Sequence, residues 1–166
     1  MKPINEDLRY EHAPEAVFAL ISTGAFQLEL IAHLGGKDAE LLEETVGTDG
    51  AVKVVTRQRT PVELPGFAKK LIPANTIVTQ TYEWGPAAEG GARKGVWSAD
   101  IKGAPVAMGG PTELQAARPG SVHSFRGEVK ASVPLVGGKL ESFALDNLRR
   151  ELARTAEFTA VRLAAT

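Results

Sequence analysis

From Lys139 to Ala164 the chain carries neither proline nor glycine, and its apolar residues recur at helical spacing. Directly before this segment, Ser121 to Val133 alternates as a strand does, and Val133-Pro-Leu-Val-Gly-Gly138 breaks the strand. A long amphipathic helix has one face to bury, and so does an alternating strand, so the chain must end in a helix laid against a sheet. At about 100° per residue, Leu140, Ala144, Leu148, Leu152 and Ala156 share one arc of the helix, bordered by Phe143 and Phe158. Lys139, Asp146, Arg149, Arg150 and Glu157 take the opposite side. Asn147, Glu151 and Thr155 fall inside the apolar arc or at its edge, where polar groups are costly unless something meets them.

The rest of the chain supplies the sheet. Ile4 to Glu11 reads as a first strand with one wet face. Pro14 suits the first turn of a helix carrying Val17, Phe18, Leu20 and Ile21. Thr23 is placed to cap a second helix with Phe26, Leu28, Leu30, Ile31 and Leu34, which Gly35-Gly36 ends. Glu40 to Thr48 and Ala51 to Val62 flank Asp49-Gly50, a two-residue hairpin signal in which both turn positions take positive φ. In the second of these strands Lys53, Arg57 and Arg59 share a face expected in solvent, while Val52, Val54, Thr56 and Gln58 share the other. Thr76 to Trp84, Lys94 to Lys102, Val106 to Ala117 and Ser121 to Val133 complete about seven strands. Between them, Leu64-Pro-Gly-Phe-Ala-Lys-Lys-Leu-Ile-Pro73 reads as a short amphipathic helix or turn, with Phe67 and Leu71 on its apolar side.

At 166 residues the whole chain, 1–166, fits a single domain. Nineteen basic residues against 20 acidic ones give a net charge of −1, without the basic field that nucleic acid requires. Absence of cysteine excludes disulfides, thiolate zinc and thiol chemistry. No apolar run approaches the ~20 residues that span a bilayer, and the N-terminus lacks a signal-peptide core, so a cytoplasmic location is expected. His12, His33 and His123 are scattered without paired spacing, which makes no metal site. Neither Gly85 to Ala92 nor Gly109-Gly110 runs into a helix with Gly-Lys-Ser/Thr, and no Gly-x-Ser-x-Gly elbow is present. No cofactor is expected.

Strand, two helices, a run of antiparallel strands and a long final helix is the order of the helix-grip fold, and the chain resembles the START/Bet v1-like (SRPBCC) superfamily, which includes polyketide cyclases and lipid-transfer proteins. Val133-Pro-Leu-Val-Gly-Gly-Lys-Leu-Glu-Ser-Phe143, together with Leu64-Pro-Gly-Phe67, is similar to an uncharacterised actinobacterial branch, the DUF2505 family. The resemblance spans essentially the whole chain and rests on structural rather than catalytic motifs. It implies an α+β fold: a seven-stranded curved antiparallel sheet around the C-terminal helix, two short helices after the first strand, and a hydrophobic cavity between sheet and helix. It brings with it no substrate and no catalytic residue set.

Alternation then nominates the cavity wall. Val78, Gln80, Tyr82 and Trp84 come from one strand, and Trp97 and Ala99 from the next. Met108, Leu114, His123 and Phe125 follow from the last two strands, and Leu140, Phe143, Ala144, Asn147 and Glu151 from the helix. Phe67, Leu71 and Ile72 are candidates for a lid. The expected function is binding, transport or sequestration of a small hydrophobic molecule such as a lipid, sterol or polyketide. The competing expectation is a cyclase or aromatase acting in the same cavity, which needs a proton-transfer pair; only Glu151, His123 and Tyr82 are candidates for it. A fully packed interior would leave a structural domain.

Overall fold

A computed structural model describes residues 1–165. The strands are β1 (Lys2–Tyr10), β2 (Lys37–Val46), β3 (Val52–Pro61), β4 (Asn75–Trp84), β5 (Arg93–Ile101), β6 (Val106–Ala116) and β7 (Ser121–Ala131). They form one seven-stranded antiparallel sheet in the order β1-β7-β6-β5-β4-β3-β2. Helices α1 (Pro14–Ile21) and α2 (Gly24–His33) carry the chain from β1 at one edge to β2 at the other. The last helix, α3 (Gly137–Ala164), lies on the same face, packed on β1 and β7.

Local sequence accounts for these elements. Pro14 opens α1, whose Val17, Phe18 and Ile21 are buried. The Thr23 hydroxyl accepts from the Phe26 N–H at 3.2 Å and so starts α2, which buries Phe26, Gln27, Leu30 and Ile31. Among the described residues no single helix is long and apolar enough to cross a membrane; α1 and α2 reach that length only together, across a 77° bend.

On the outer face of β3 the basic residues are paired as well as wet. Arg57 meets Glu40 at 2.9 Å, Arg59 meets Asp38 at 2.9 Å, and Lys53 reaches Glu43 and Glu83 at 3.6 Å each. Such exposed pairs stabilise by about 0–1 kcal/mol. Their larger consequence is to place charge along β2, an exposed and bulged edge strand, which discourages pairing with another chain.

The β2–β3 turn departs from the expected form. Gly50 has φ +88°, but Asp49 is not in the left-handed region. The Gly50 N–H donates to the Gly47 carbonyl at 3.0 Å, and the Asp49 carboxylate accepts from the Ala51 N–H at 3.0 Å. The longer loop needs positive φ at only one position.

The β3–β4 connection, expected as a short amphipathic helix or turn, is a series of turns. Ala68 and Ile72 are buried there, whereas Phe67 is exposed and Leu71 is half-buried against the core.

The inner face of β5, β6 and β7 contains a gap. Gly110 lies opposite Trp97 in the β5–β6 ladder, and a Cβ on Gly110 would collide with the Cα of Gly127 on β7. With no side chain in the way, the Trp97 indole reaches across β6 and donates its Nε1–H to the Arg126 carbonyl at 3.2 Å. It also meets Phe125 edge-on, with centroids 5.5 Å apart. The two glycines therefore set how closely β6 and β7 approach and where the Trp97 ring lies.

Candidate functional site

A cavity of about 140 Å³, partly open to solvent, lies between the sheet and α3. The residues at mid-sheet explain it. Val78 and Ala99 face inward there, and Ala144 stands opposite on α3. These are too small to meet across a gap that larger side chains close elsewhere.

Its walls come from every layer of the fold. The helix side is a stripe at α-helical spacing, Phe143, Ala144, Asn147, Leu148, Glu151, Leu152 and Thr155. From the sheet come Gln58 and Thr60 on β3, Val78, Gln80 and Tyr82 on β4, and Trp97, Ala99 and Ile101 on β5. Val106, Met108 and Phe125 extend this wall, and Leu30 and Ile31 of α2, with Leu34 just after it, cover one end. Val62, Leu64 and Ile72 border the cavity from the β3–β4 connection.

Eleven of the fifteen wall candidates thus line this cavity: Val78, Gln80, Tyr82, Trp97, Ala99, Met108, Phe125, Phe143, Ala144, Asn147 and Glu151. Trp84 and His123 instead line a smaller chamber of about 20 Å³, with Tyr10 and Thr159. Tyr82, Phe125, Gln27, Leu30 and Thr155 border both spaces. Leu114 and Leu140 are fully buried core and line neither, because at their positions the elements are already in contact. Of the lid candidates only Ile72 reaches the wall. Phe67 and Leu71 miss it because a chain of turns does not hold the three-to-four-residue period used to place them.

The sequence reading omitted Gln58, Thr60 and the whole contribution of α2. Gln58 was legible as an inward residue of β3 from alternation with Val52, Val54 and Thr56, all buried in the structure. The position of α2 over the cavity is a tertiary fact with no local signal.

The two spaces differ chemically. In the small chamber His123 is buried and bonded to Thr112 at 2.9 Å. The single hydroxyl proton of Thr112 goes to the Ser124 carbonyl at 2.8 Å, so Thr112 accepts from the His123 Nε2–H and the Nδ1 lone pair is left. Burial pushes the His123 pKa down to about 3, which keeps the ring neutral. Burial also raises Tyr10 to about 12, partly offset by the neighbouring Thr159 hydroxyl, which itself makes no bond of proper hydrogen-bond geometry.

Aromatic rings run through this region. Phe18, Trp84, His123 and Phe125 follow one another at centroid distances of 5.7, 5.4 and 4.2 Å.

In the main cavity Glu151 has a large accessible area, yet desolvation is the main influence on its carboxyl group. Its side chain is one of those that line the cavity. Its pKa is raised by this burial, with Arg154 and Arg150 opposing. Tyr82 is raised by burial first, then by Tyr10 and Glu151. Among the described residues no hydrogen bond joins Glu151, Tyr82 and His123, so the groups suited to proton transfer do not form a relay. Also among the described residues, no cluster of His, Asp or Glu side chains could hold a metal ion.

A seven-stranded antiparallel sheet curved round its C-terminal helix, with open space between the two, defines the helix-grip class. Within it, the chain belongs to the family of proteins of unknown function designated DUF2505, which it matches over residues 5–163. Among solved structures it is similar to protein CV1439 from Chromobacterium violaceum, at 13% identity and a TM-score of 0.56, covering 97% of this chain and 96% of that one. It is also similar to protein Ms6760 from Mycobacterium smegmatis, at 7% identity and a TM-score of 0.50, covering 98% of this chain and 87% of that one. At such identities the likeness is one of fold alone. The chain matches no curated protein.

Proposed function

We propose that this protein binds a small, mostly apolar molecule in the cavity between the sheet and α3. The observation that carries this reading is the cavity itself, about 140 Å³ with apolar side chains predominating and a few polar groups among them. Left empty and dry, a void of this size costs roughly 3 kcal/mol relative to a filled core. The small residues that keep it open therefore oppose stability, as expected where space serves a ligand. Its size is close to the ~150 Å³ cavity known to accept benzene. That favours a single ring or a short chain over a sterol skeleton, with any longer part of the ligand leaving through the opening. Binding is favoured over cyclase-type chemistry because Glu151, Tyr82 and His123 are not hydrogen-bonded to one another.

Native mass spectrometry of the protein purified from its own host tests the proposal. The wild type is expected to carry a non-covalent small-molecule mass, and a folded Ala99→Phe variant, with the cavity plugged, to lack it. Bare wild-type protein, or the same mass on both, would count against the cavity as the binding site.

A further inference from the structure

We infer that the cavity favours ligands whose polar end carries no negative charge, a hydroxyl or an ammonium group, and that it rejects carboxylates. This rests on the reading of the cavity as a ligand site and specifies what enters it.

The neutral polar groups of the wall are of both kinds, among them the hydroxyls of Thr60 and Tyr82 and the amides of Gln80 and Asn147, so they do not decide the ligand's charge. Three further donors are spent within the protein. The Thr76 hydroxyl donates to the Pro73 carbonyl at 2.9 Å, the Thr155 hydroxyl to the Glu151 carbonyl at 2.7 Å, and the Gln27 amide nitrogen to the Ile21 carbonyl at 2.8 Å.

One charged acceptor is not spent. The Glu151 carboxylate has no hydrogen bond or ion pair within 4 Å among the described residues. A ligand donor in the cavity would find this carboxylate free to accept.

Charge points the same way. Among the described residues no Arg, Lys or His lines the main cavity, and Glu151 is its one acidic side chain. The nearest cations, Arg150 and Arg154, are exposed and lie outside the wall: Arg150 donates to the Oδ1 of the wall residue Asn147 and Arg154 to the His33 carbonyl. A carboxylate entering this space would lose hydration beside a like charge and find no cation, whereas an ammonium group would find its counter-charge.

Titration with four ligands of one ring each (toluene, benzyl alcohol, benzylamine and benzoate) at about pH 7.5 tests this, with binding followed by calorimetry and by the fluorescence of the tryptophans. Benzylamine and benzyl alcohol are expected to bind at least about tenfold more tightly than benzoate. In Glu151→Gln the gap between benzylamine and benzoate should shrink to under about threefold. Benzoate binding as tightly as benzylamine in the wild type, or a gap that survives in Glu151→Gln, overturns the inference while leaving the cavity reading intact. Failure of toluene and the other three alike to bind overturns the cavity reading, and the inference with it.

Discussion

Gly127→Ala is expected to destabilise the protein by more than about 3 kcal/mol, enough to abolish most soluble expression at 37 °C. Gly127 has φ +115°, a region that side-chain-bearing residues seldom occupy, and strain there costs about 1–3 kcal/mol. In addition, a Cβ at this position would overlap the Gly109 carbonyl oxygen, with Gly110 Cα only 2.7 Å away. These are backbone atoms of the adjoining strand and cannot rotate aside, so β6 and β7 must separate. Separation would also move the Arg126 carbonyl away from the Trp97 indole and distort the cavity wall. Gly138→Ala is the control. Its Cβ meets nothing within 4 Å and it lies in the first turn of α3, so it should be neutral or stabilising by about 0.5–1 kcal/mol. Urea denaturation of the two variants against wild type measures both; equal, small effects would show that the glycine pair does not set the strand spacing.

Acidification should expose His123. Its folded-state pKa lies near 3 against 6.5 unfolded, so between those values the unfolded chain binds a proton that the folded one refuses. The stabilisation is therefore complete above pH 6.5 and is lost as pH falls, by about 1.4 kcal/mol per pH unit. Between pH 6.5 and about 5 this amounts to about 2 kcal/mol. His123→Gln keeps an amide donor for Thr112 but does not titrate, and its stability should change less over the same interval by that amount. Urea midpoints at the two pH values check this. Parallel wild-type and His123→Gln curves would mean that the ring accepts a proton without unfolding the core around it.

Where side-chain period governs structure, the sequence was readable. The alternation of Ser121 to Val133 and the helical arc from Leu140 to Ala156 translate directly into β7 and α3. Each wall candidate on β4 and β5 faces inward as alternation requires. What alternation cannot supply is distance to the opposite layer. Leu114 and Leu140 point inward as expected, yet they meet neighbours directly, whereas Ala99 and Ala144 do not, and the difference depends on how α3 lies across the sheet. Similarly, Glu151 and Asn147 stood out as polar groups in an apolar arc, but the unpaired Oε1 of Gln58 depends on tertiary surroundings. Gly110 and Gly127 were invisible as a pair because their partnership exists only across two strands.

Diffraction from crystals pressurised with xenon examines the open interior without presupposing any natural ligand. Xenon should occupy the space bounded by Val78, Ala99, Met108 and Ala144, and be absent there in Ala99→Phe. An interior closed by its own side chains, with no xenon between the sheet and α3, would contradict the account.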